Sequence, residues 1–303
     1  MNLLEKYKQL IHWGTSTWTF PEWSGIVYHK PYTQKTIKTE SLAEYAAFPS
    51  FSTVGIDHTF YAPPNPFVLA EYAKFLPAGF KCVCKVWEEI TVPQWSQHRR
   101  YGKKAGKVNP NFLDAEKFKT EILAVYEKAF KDHTGPFVFE FGEMYPPAMP
   151  SLEIFLEKLG TFLGKLPEGY QYAIEIRNKG FLQPEFFAAL KRHKVAPVFN
   201  HWTKMPRIKD QFTAAGDSLQ AAGFAVVRLL TSRGIKYDAA KELYEPYNSI
   251  KVRNIEMRDD LEEIIAWAIE NNLELYILVN NKTEGCAPLT IQEMDERLRE
   301  KLT

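Results

Sequence analysis

The chain has 303 residues, 45% of them hydrophobic and 25% charged, a composition that excludes a disordered or fibrous chain. Its formal net charge of +1 excludes a global electrostatic attraction to nucleic acid or to an anionic membrane. No apolar run approaches the ~20 residues that cross a bilayer, and charges interrupt residues 1–10. We therefore expect a cytoplasmic protein without a signal peptide or a membrane contact.

Eight short segments rich in β-branched and aromatic residues recur along the chain, and helical patterns lie between them. Several are almost continuously apolar, as in strands that are covered on both faces. The predicted strands are residues 11–16, 52–57, 80–85, 136–141, 172–177, 196–200, 224–229 and 275–280.

Helix start signals lie between these strands. They predict helices that begin at Ser41, Asp114, Ser151 and Pro184, and near Asp259. The alternation of strand and helix predicts parallel pairing through crossovers. The strand count alone does not separate a closed barrel from an open doubly wound sheet, but eight repeats favour closure. We expect an α/β fold, a TIM-type (β/α)8 barrel, as a single domain over residues 1–303, with long loops after strands one and three.

Barrel proteins build their sites from the C-terminal ends of the strands. Side chains alternate along a strand, so inward positions share a parity. In each strand we take as inward-facing the set of alternate positions that ends in a polar residue. This choice selects Ser16, Asp57, Lys85, Glu140, Glu175 with Arg177, Asn200, Arg228 and Asn280. Because burying unpaired charges is costly, we expect these side chains to converge in one pocket.

Two interpretations of this predicted cluster remain open. In the first, Arg177 and Arg228 bind a phosphate or carboxylate through their planar guanidinium groups. Glu175 then acts as a general acid or base, and Lys85 stabilises developing negative charge. In the second, the acids and bases of the cluster neutralise each other as buried ion pairs.

Aromatic residues are frequent in the loops that follow the predicted strands. Such side chains either stack on a ligand at the rim of a pocket or pack the loop against the barrel. Trp18 and Tyr61 are the predicted ligand contacts among them. The others are Trp23, Trp87, Trp95, Trp202, Tyr28 and Tyr32.

A basic segment without an acid follows strand three, at residues 98–107. Its charges are Arg99, Arg100, Lys103, Lys104 and Lys107. Such a run is more often a solvated loop. The alternative, if it lies on the pocket face, is contact with the phosphate backbone of a nucleic acid. No metal-binding or dinucleotide-binding motif is present, so the sequence predicts neither a metal nor a cofactor.

Seven segments, in chain order, match a known family pattern. They are GTSTWTFPEWSG (14–25), TVGIDHTFYAPP (53–64), GFKCVCKVWEEIT (79–91), GPFVFEF (135–141), AIEIRNKGF (173–181), VVRLL (226–230) and VNNKTEGCAP (279–288). With them the chain resembles the YecE-like proteins, family 72 of the domains of unknown function. The resemblance implies a TIM-type barrel but no particular reaction. The predicted site residues that carry over are Lys85, Glu175, Arg177, Arg228, Asn280 and Asn281.

The chain also departs from the family pattern. An acid is usual where Gly55 stands, a histidine where Val92 stands, and a His-Gly pair at Leu230–Thr231. A glutamine is usual at Glu140, and an asparagine at Asp57. If those histidines transfer protons in relatives, this chain has lost or changed that activity. Our hypothesis is that Glu140 restores the negative charge that is lost at Gly55.

Three functions remain as hypotheses. The favoured one is binding, with or without acid–base catalysis, of a small polar anion such as a sugar phosphate. The second is nucleic-acid binding or metal-dependent phosphodiester cleavage, which rests on the basic segment and on fold-level analogy. The third is a non-catalytic scaffold. No pattern in the sequence points to an oligomeric state.

Overall fold

Eight parallel strands surround a common interior in the computed structural model, which describes residues 3–302. The strands are β1 (Ile11–Thr15), β2 (Thr53–Ile56), β3 (Lys81–Lys85), β4 (Thr134–Phe141), β5 (Tyr172–Ile176), β6 (Ala196–His201), β7 (Phe224–Leu229) and β8 (Glu274–Val279). Hydrogen-bonded neighbours run in the order β1-β8-β7-β6-β5-β4-β3-β2. The predicted TIM-type barrel is confirmed.

Helices connect successive strands and cover the outside of the barrel. They are α1 (Leu3–Leu10), α2 (Ile37–Glu40), α3 (Leu42–Ala46), α4 (Pro66–Ala73), α5 (Glu88–Thr91), α6 (Ala115–Lys117), α7 (Ala124–Ala129), α8 (Leu152–Leu163), α9 (Pro184–His193), α10 (Ile208–Ala215), α11 (Ser218–Ala222), α12 (Tyr237–Tyr244), α13 (Ile255–Glu270) and α14 (Ala287–Leu302). A π-helical turn, Phe118–Leu123, joins α6 to α7.

Three of the predicted helix starts are confirmed. Asp114 and Ser151 accept N-cap hydrogen bonds from backbone amides, and Pro184 is the first residue of α9. The position predicted at Ser41 is also correct, because Ser41 is the N-cap residue of α3, but its hydroxyl donates to the Ile37 carbonyl and does not cap an amide of α3.

The start predicted near Asp259 is wrong. Asn254 caps α13 by accepting from the Met257 amide, so this helix begins earlier, at Ile255. Several helices were not predicted from the sequence, namely α1, α4, α10, α11, α12 and α14. The signal for α4 was overlooked, since Asn65 caps it and Pro66 is its first residue.

Valine, alanine and a few larger apolar side chains fill the barrel interior. They come from alternate positions, as expected for inward-facing residues: Val83, Val138, Ala173, Ala196, Val198, Phe224, Val226, Tyr276 and Leu278. Outward-facing strand residues pack beneath the helices in a larger cluster. Two residues closer to the C-terminal end of β3, β4, β5 and β7, the next inward-facing positions carry charged side chains. The fold therefore places a layer of charge directly above an apolar layer.

The barrel closes where β1 meets β2, and a side chain replaces the usual ladder there. The two strands are not paired in the sheet, although the Ser52 amide donates to the Trp13 carbonyl at 2.9 Å. The hydroxyl of Tyr45, from α3, lies between the strands. It accepts from the Thr15 amide at 2.9 Å and donates to the Thr53 carbonyl at 3.2 Å.

Two glycines allow the close approach of the strands at this seam. A Cβ on Gly14 would lie 2.1 Å from the Thr53 carbonyl oxygen, and one on Gly55 would lie 2.7 Å from the Ser16 carbonyl oxygen. The acid of the family pattern at position 55 therefore has no room while the seam is closed in this way. Gly55 is a structural part of the closure.

Replacing Tyr45 by Phe should lower the free energy of unfolding by about 1–3 kcal/mol, because two buried main-chain groups lose their hydroxyl partner. Urea unfolding followed by circular dichroism measures the change. Tyr72→Phe is the matched control, since Tyr72 is also buried but its hydroxyl makes no hydrogen bond within residues 3–302. Equal stability of the two variants would contradict the role given to Tyr45.

Candidate functional site

One carboxylate oxygen at the C-terminal end of β4 contacts three cations. Oε2 of Glu140 lies 2.6 Å from Nζ of Lys85, 2.8 Å from Nη1 of Arg228 and 2.9 Å from Nη2 of Arg177. These residues belong to or follow β3, β4, β5 and β7. Closure of the barrel therefore brings together side chains that are far apart in the sequence.

Two further acids complete this charge network. Glu175 contacts Nη1 of Arg228 through one oxygen, and its other oxygen accepts from Nε of Arg177 at 3.1 Å. Asp57 Oδ2 lies 2.9 Å from Nη2 of Arg228. Six of the predicted residues thus meet in one cluster, with three acids opposite three bases. The second sequence interpretation, mutual neutralisation, describes these contacts.

Burial and the neighbouring charges shift the pKa values of the network in opposite directions, and the effect of the neighbouring charges is the larger one. Burial alone would raise the pKa of Glu140, but Arg177, Lys85 and Arg228 hold it well below the ordinary carboxyl value. Burial alone would lower the pKa of Arg228, but Asp57, Glu175 and Glu140 raise it far above the ordinary value. At neutral pH these groups are therefore ionised and held in place by their partners.

The network is exposed only at one edge. The side chains of Glu175 and Arg228 are 0% and 2% exposed, whereas those of Asp57 and Arg177 are 28% and 16% exposed. The guanidinium of Arg177 lies 4.4 Å from the ring of Trp202, and its Nη1 has no partner within residues 3–302. Asp57 and Arg177 are therefore the charged groups that a ligand at the barrel mouth would meet.

The predicted asparagines lie at strand ends but outside the charge network. Asn200 is buried on β6, and its Nδ2 donates to the Ile176 carbonyl at 3.1 Å. Asn280 Oδ1 accepts from the Lys282 amide at 3.0 Å. Asn281 Oδ1 accepts from the Ala287 amide at 2.8 Å. All three make structural contacts with the main chain.

Most of the predicted rim aromatics pack against the protein. Trp18 is 2% exposed and meets Tyr72 edge to face, so it has no open face for a ligand. Tyr61 is 60% exposed, although Phe60 meets its ring edge to face and the guanidinium of Arg100 lies 4.9 Å from its ring centre. The packed rings otherwise include Trp23, Trp95, Tyr28 and Tyr32.

Several buried polar atoms near the C-terminal strand ends have no hydrogen-bond partner within the described chain. They are Ser16 Oγ, Thr91 Oγ1, Asn200 Oδ1, Thr231 Oγ1 and Asn281 Nδ2. Buried polar groups are rarely left unpaired, so such atoms mark places where water or a ligand binds. Thr91 and Thr231 were not among the predicted site residues, because a threonine in a loop carries no distinguishing sequence pattern.

Comparison with known proteins identifies the family. A family model described as "Protein of unknown function DUF72" matches residues 12–303. The chain belongs to the DUF72 family. The resemblance inferred from the sequence is therefore confirmed. No curated protein matches the chain.

Two solved structures of DUF72 proteins share the fold. One, from Thermotoga maritima, is 18% identical, with a TM-score of 0.63 over 95% of this chain and 99% of its own. The other, from Enterococcus faecalis, is 17% identical, with a TM-score of 0.64 over 95% of each chain. At these identities the likeness concerns the fold alone.

The basic segment of this DUF72 chain folds onto the barrel through two acids that sequence reasoning missed. Arg100 Nη2 lies 2.8 Å from Glu88 Oε2, and Lys104 Nζ lies 2.8 Å from Glu89 Oε2. Both glutamates are buried in α5. The acidic pair shortly before a basic run was the sequence signal. Nucleic-acid binding stays a prediction, and it would depend on the exposed charges that remain, Arg99, Lys103 and Lys107.

Residues 3–302 contain no group of three or more His, Cys, Asp or Glu side chains placed to hold a metal ion. Within the same residues, no helix is long and apolar enough to cross a membrane.

Replacing Glu140 by Gln should lower the free energy of unfolding by about 3–5 kcal/mol at neutral pH, because three buried cations lose their shared carboxylate. The pKa of Glu140 is lower in the folded protein than in the unfolded chain. Its contribution is therefore present above the ordinary carboxyl pKa of about 4.3 and is lost as the pH falls below it.

Chemical unfolding of both proteins, from neutral pH down to about pH 3, measures this difference. The gap between wild type and variant should narrow towards the acid end. Glu270→Gln, at an exposed helical position, is the control and should change little. A Glu140→Gln protein as stable as wild type at neutral pH would refute both this role and the charge-replacement hypothesis.

Proposed function

We propose that this DUF72 protein binds a small polar ligand, such as a sugar phosphate, at the C-terminal face of its barrel. The observation that supports this most directly is the partial exposure of Asp57 and Arg177 at the edge of an otherwise buried charge network. These two side chains are the proposed direct contacts.

The energetics of the network favour a binding role over a purely structural one. Buried ion pairs offset much of their own attraction through lost hydration, so apolar residues of similar volume are often equally stabilising. What the network provides is orientation: Arg177 is fixed by Glu140, by Glu175 and by the ring of Trp202. A guanidinium held in this way recognises a ligand with little loss of side-chain entropy.

The proposed ligand is recognised here by hydrogen bonds more than by net charge. The three bases of the network are matched by three acids. The free Nη1 of Arg177 can donate to a carbonyl, carboxyl or ester oxygen. The carboxylate of Asp57 can accept from a hydroxyl. A ligand that carries an oxygen acceptor and hydroxyl groups, as sugars and their phosphates do, fits both.

Any proton transfer at this site would involve Asp57 rather than Glu175. Glu175 is fully buried, and each of its oxygens already contacts an arginine. Lys85 is 8% exposed, and its ammonium contacts Glu140. We therefore assign positioning roles to Glu175 and Lys85 in place of the acid–base and charge-stabilising roles that the sequence suggested.

Sugar phosphates that bind wild type should bind Arg177→Gln at least about tenfold more weakly, equivalent to about 1.4 kcal/mol. The loss follows because glutamine keeps only part of the planar donor edge. Asp57→Asn should weaken the same ligands, because a neutral amide oxygen replaces the charged acceptor for their hydroxyls. Thermal shift, followed by calorimetry on the positive compounds, tests a panel of sugar phosphates with the corresponding free sugars.

The control is Arg192→Gln, an exposed arginine at the end of α9, on the opposite face of the barrel. It should bind as wild type does. The proposal fails if the panel stabilises wild type and Arg177→Gln equally. It also fails if no member of the panel stabilises wild type.

A further inference from the structure

A buried lysine after β8 has no acid beside it. Lys282 is 7% exposed, and it forms no ion pair within residues 3–302. Its Nζ lies 4.7 Å from the ring centre of Tyr237 and 5.3 Å from that of Tyr247. Buried lysines are normally paired, and two aromatic faces supply only part of the attraction that a counter-ion would.

Unsatisfied hydrogen-bonding groups lie in the same loops. Thr231 Oγ1, Asn281 Nδ2 and Tyr247 Oη are buried and have no partner in the part of the chain that the structure describes. Burial, followed by the charge of Glu245, raises the pKa of Tyr247 to about 12. Its hydroxyl therefore keeps its proton at neutral pH and remains a donor.

The loops after β7 and β8 are tied to each other. The hydroxyl of Ser232 donates to the Thr283 carbonyl at 2.9 Å, and the hydroxyl of Thr283 donates to the Leu229 carbonyl at 2.8 Å. We call the place where they meet the Lys282 corner, and define it by Thr231, Tyr247, Asn281 and Lys282.

The Lys282 corner differs in charge from the network at the barrel mouth. In the network, every cation has a carboxylate partner. In the corner, a cation stands with an amide and two hydroxyls, all of which can donate hydrogen bonds. Two acids, Glu22 and Glu245, act on Tyr247 electrostatically, but neither forms an ion pair with Lys282.

We propose that the Lys282 corner binds a phosphate group, either free or as the phosphate of the ligand proposed above. A phosphate group offers four oxygen acceptors, and the joined loops after β7 and β8 carry a cation and three hydrogen-bonding groups that have no partner in the described chain. The loops after strands 7 and 8 are also where (β/α)8 barrels commonly bind phosphate. The inference rests on the proposed function, since it places the anionic half of the same ligand.

Binding of inorganic phosphate to the full chain tests the proposal. Calorimetry at constant ionic strength, with chloride as the balancing anion, compares wild type with Lys282→Met. The variant should bind phosphate at least about tenfold more weakly. Lys282→Arg keeps the charge and should retain part of the affinity. Lys236→Met removes a neighbouring exposed lysine and should bind as wild type does.

A second variant covers the case in which Lys282→Met fails to fold. Thr231→Val keeps the shape of the side chain and removes one unpaired hydroxyl, so it should weaken phosphate binding several-fold. Circular dichroism without phosphate confirms folding of each variant. Phosphate binding that is equal in wild type, Lys282→Met and Thr231→Val would overturn the inference, as would no binding to wild type.

The two proposals fail in different ways. Arg177→Gln should leave binding of inorganic phosphate unchanged, while Lys282→Met should leave binding of an unphosphorylated sugar unchanged. Loss of inorganic phosphate binding in Arg177→Gln alone would place the anion at the barrel mouth and refute the Lys282 corner. Phosphate binding that depends on Lys282, with no sugar or sugar phosphate affected by Arg177→Gln, would instead refute the proposed function.

Discussion

A single oxygen, Oε2 of Glu140, is the shared partner of the cations that this barrel carries above its apolar interior. Three cations from three other strand ends reach it, and Arg228 extends the contacts to Asp57 and Glu175. Charges in a low-dielectric interior persist only if each has a partner. Once arginine and lysine occupy these inward positions, buried carboxylates are required to pair with them, and in this chain Glu140 is the one that all three share.

The pairing of its buried charges also limits the interactions that the network can make with a ligand. Because its charges are already matched, it contributes orientation and hydrogen bonds rather than net attraction for an anion. The unmatched positive charge lies elsewhere, on Lys282 between two tyrosine rings. In our proposal, recognition of polar substituents and neutralisation of an anionic group are therefore divided between two parts of the same barrel face.

Strand alternation made the convergence of Lys85, Glu140 and Arg228 predictable, since parity along a strand is strict and closure brings strand ends together. Pairing of these charges was one of the two sequence interpretations, but which acid pairs with which base was not predictable, because it depends on side-chain reach across the closed barrel. The burial of Trp18 was equally hidden, because it depends on how a loop packs against α4. Helix start signals in the sequence indicated the correct start where a single capping residue determines it, as at Asp114. They indicated the wrong start for α13, because Asn254 caps that helix ahead of the predicted position.

The seam between β1 and β2 has a consequence for solubility. Both strands are edges of the eight-stranded sheet, and unpaired strand edges recruit strands from other molecules. Here the phenol of Tyr45 occupies main-chain groups on both edges at once, and Gly14 and Gly55 bring the edges too close for a foreign strand to enter. The closing side chain thus also shields the protein from intermolecular β-pairing.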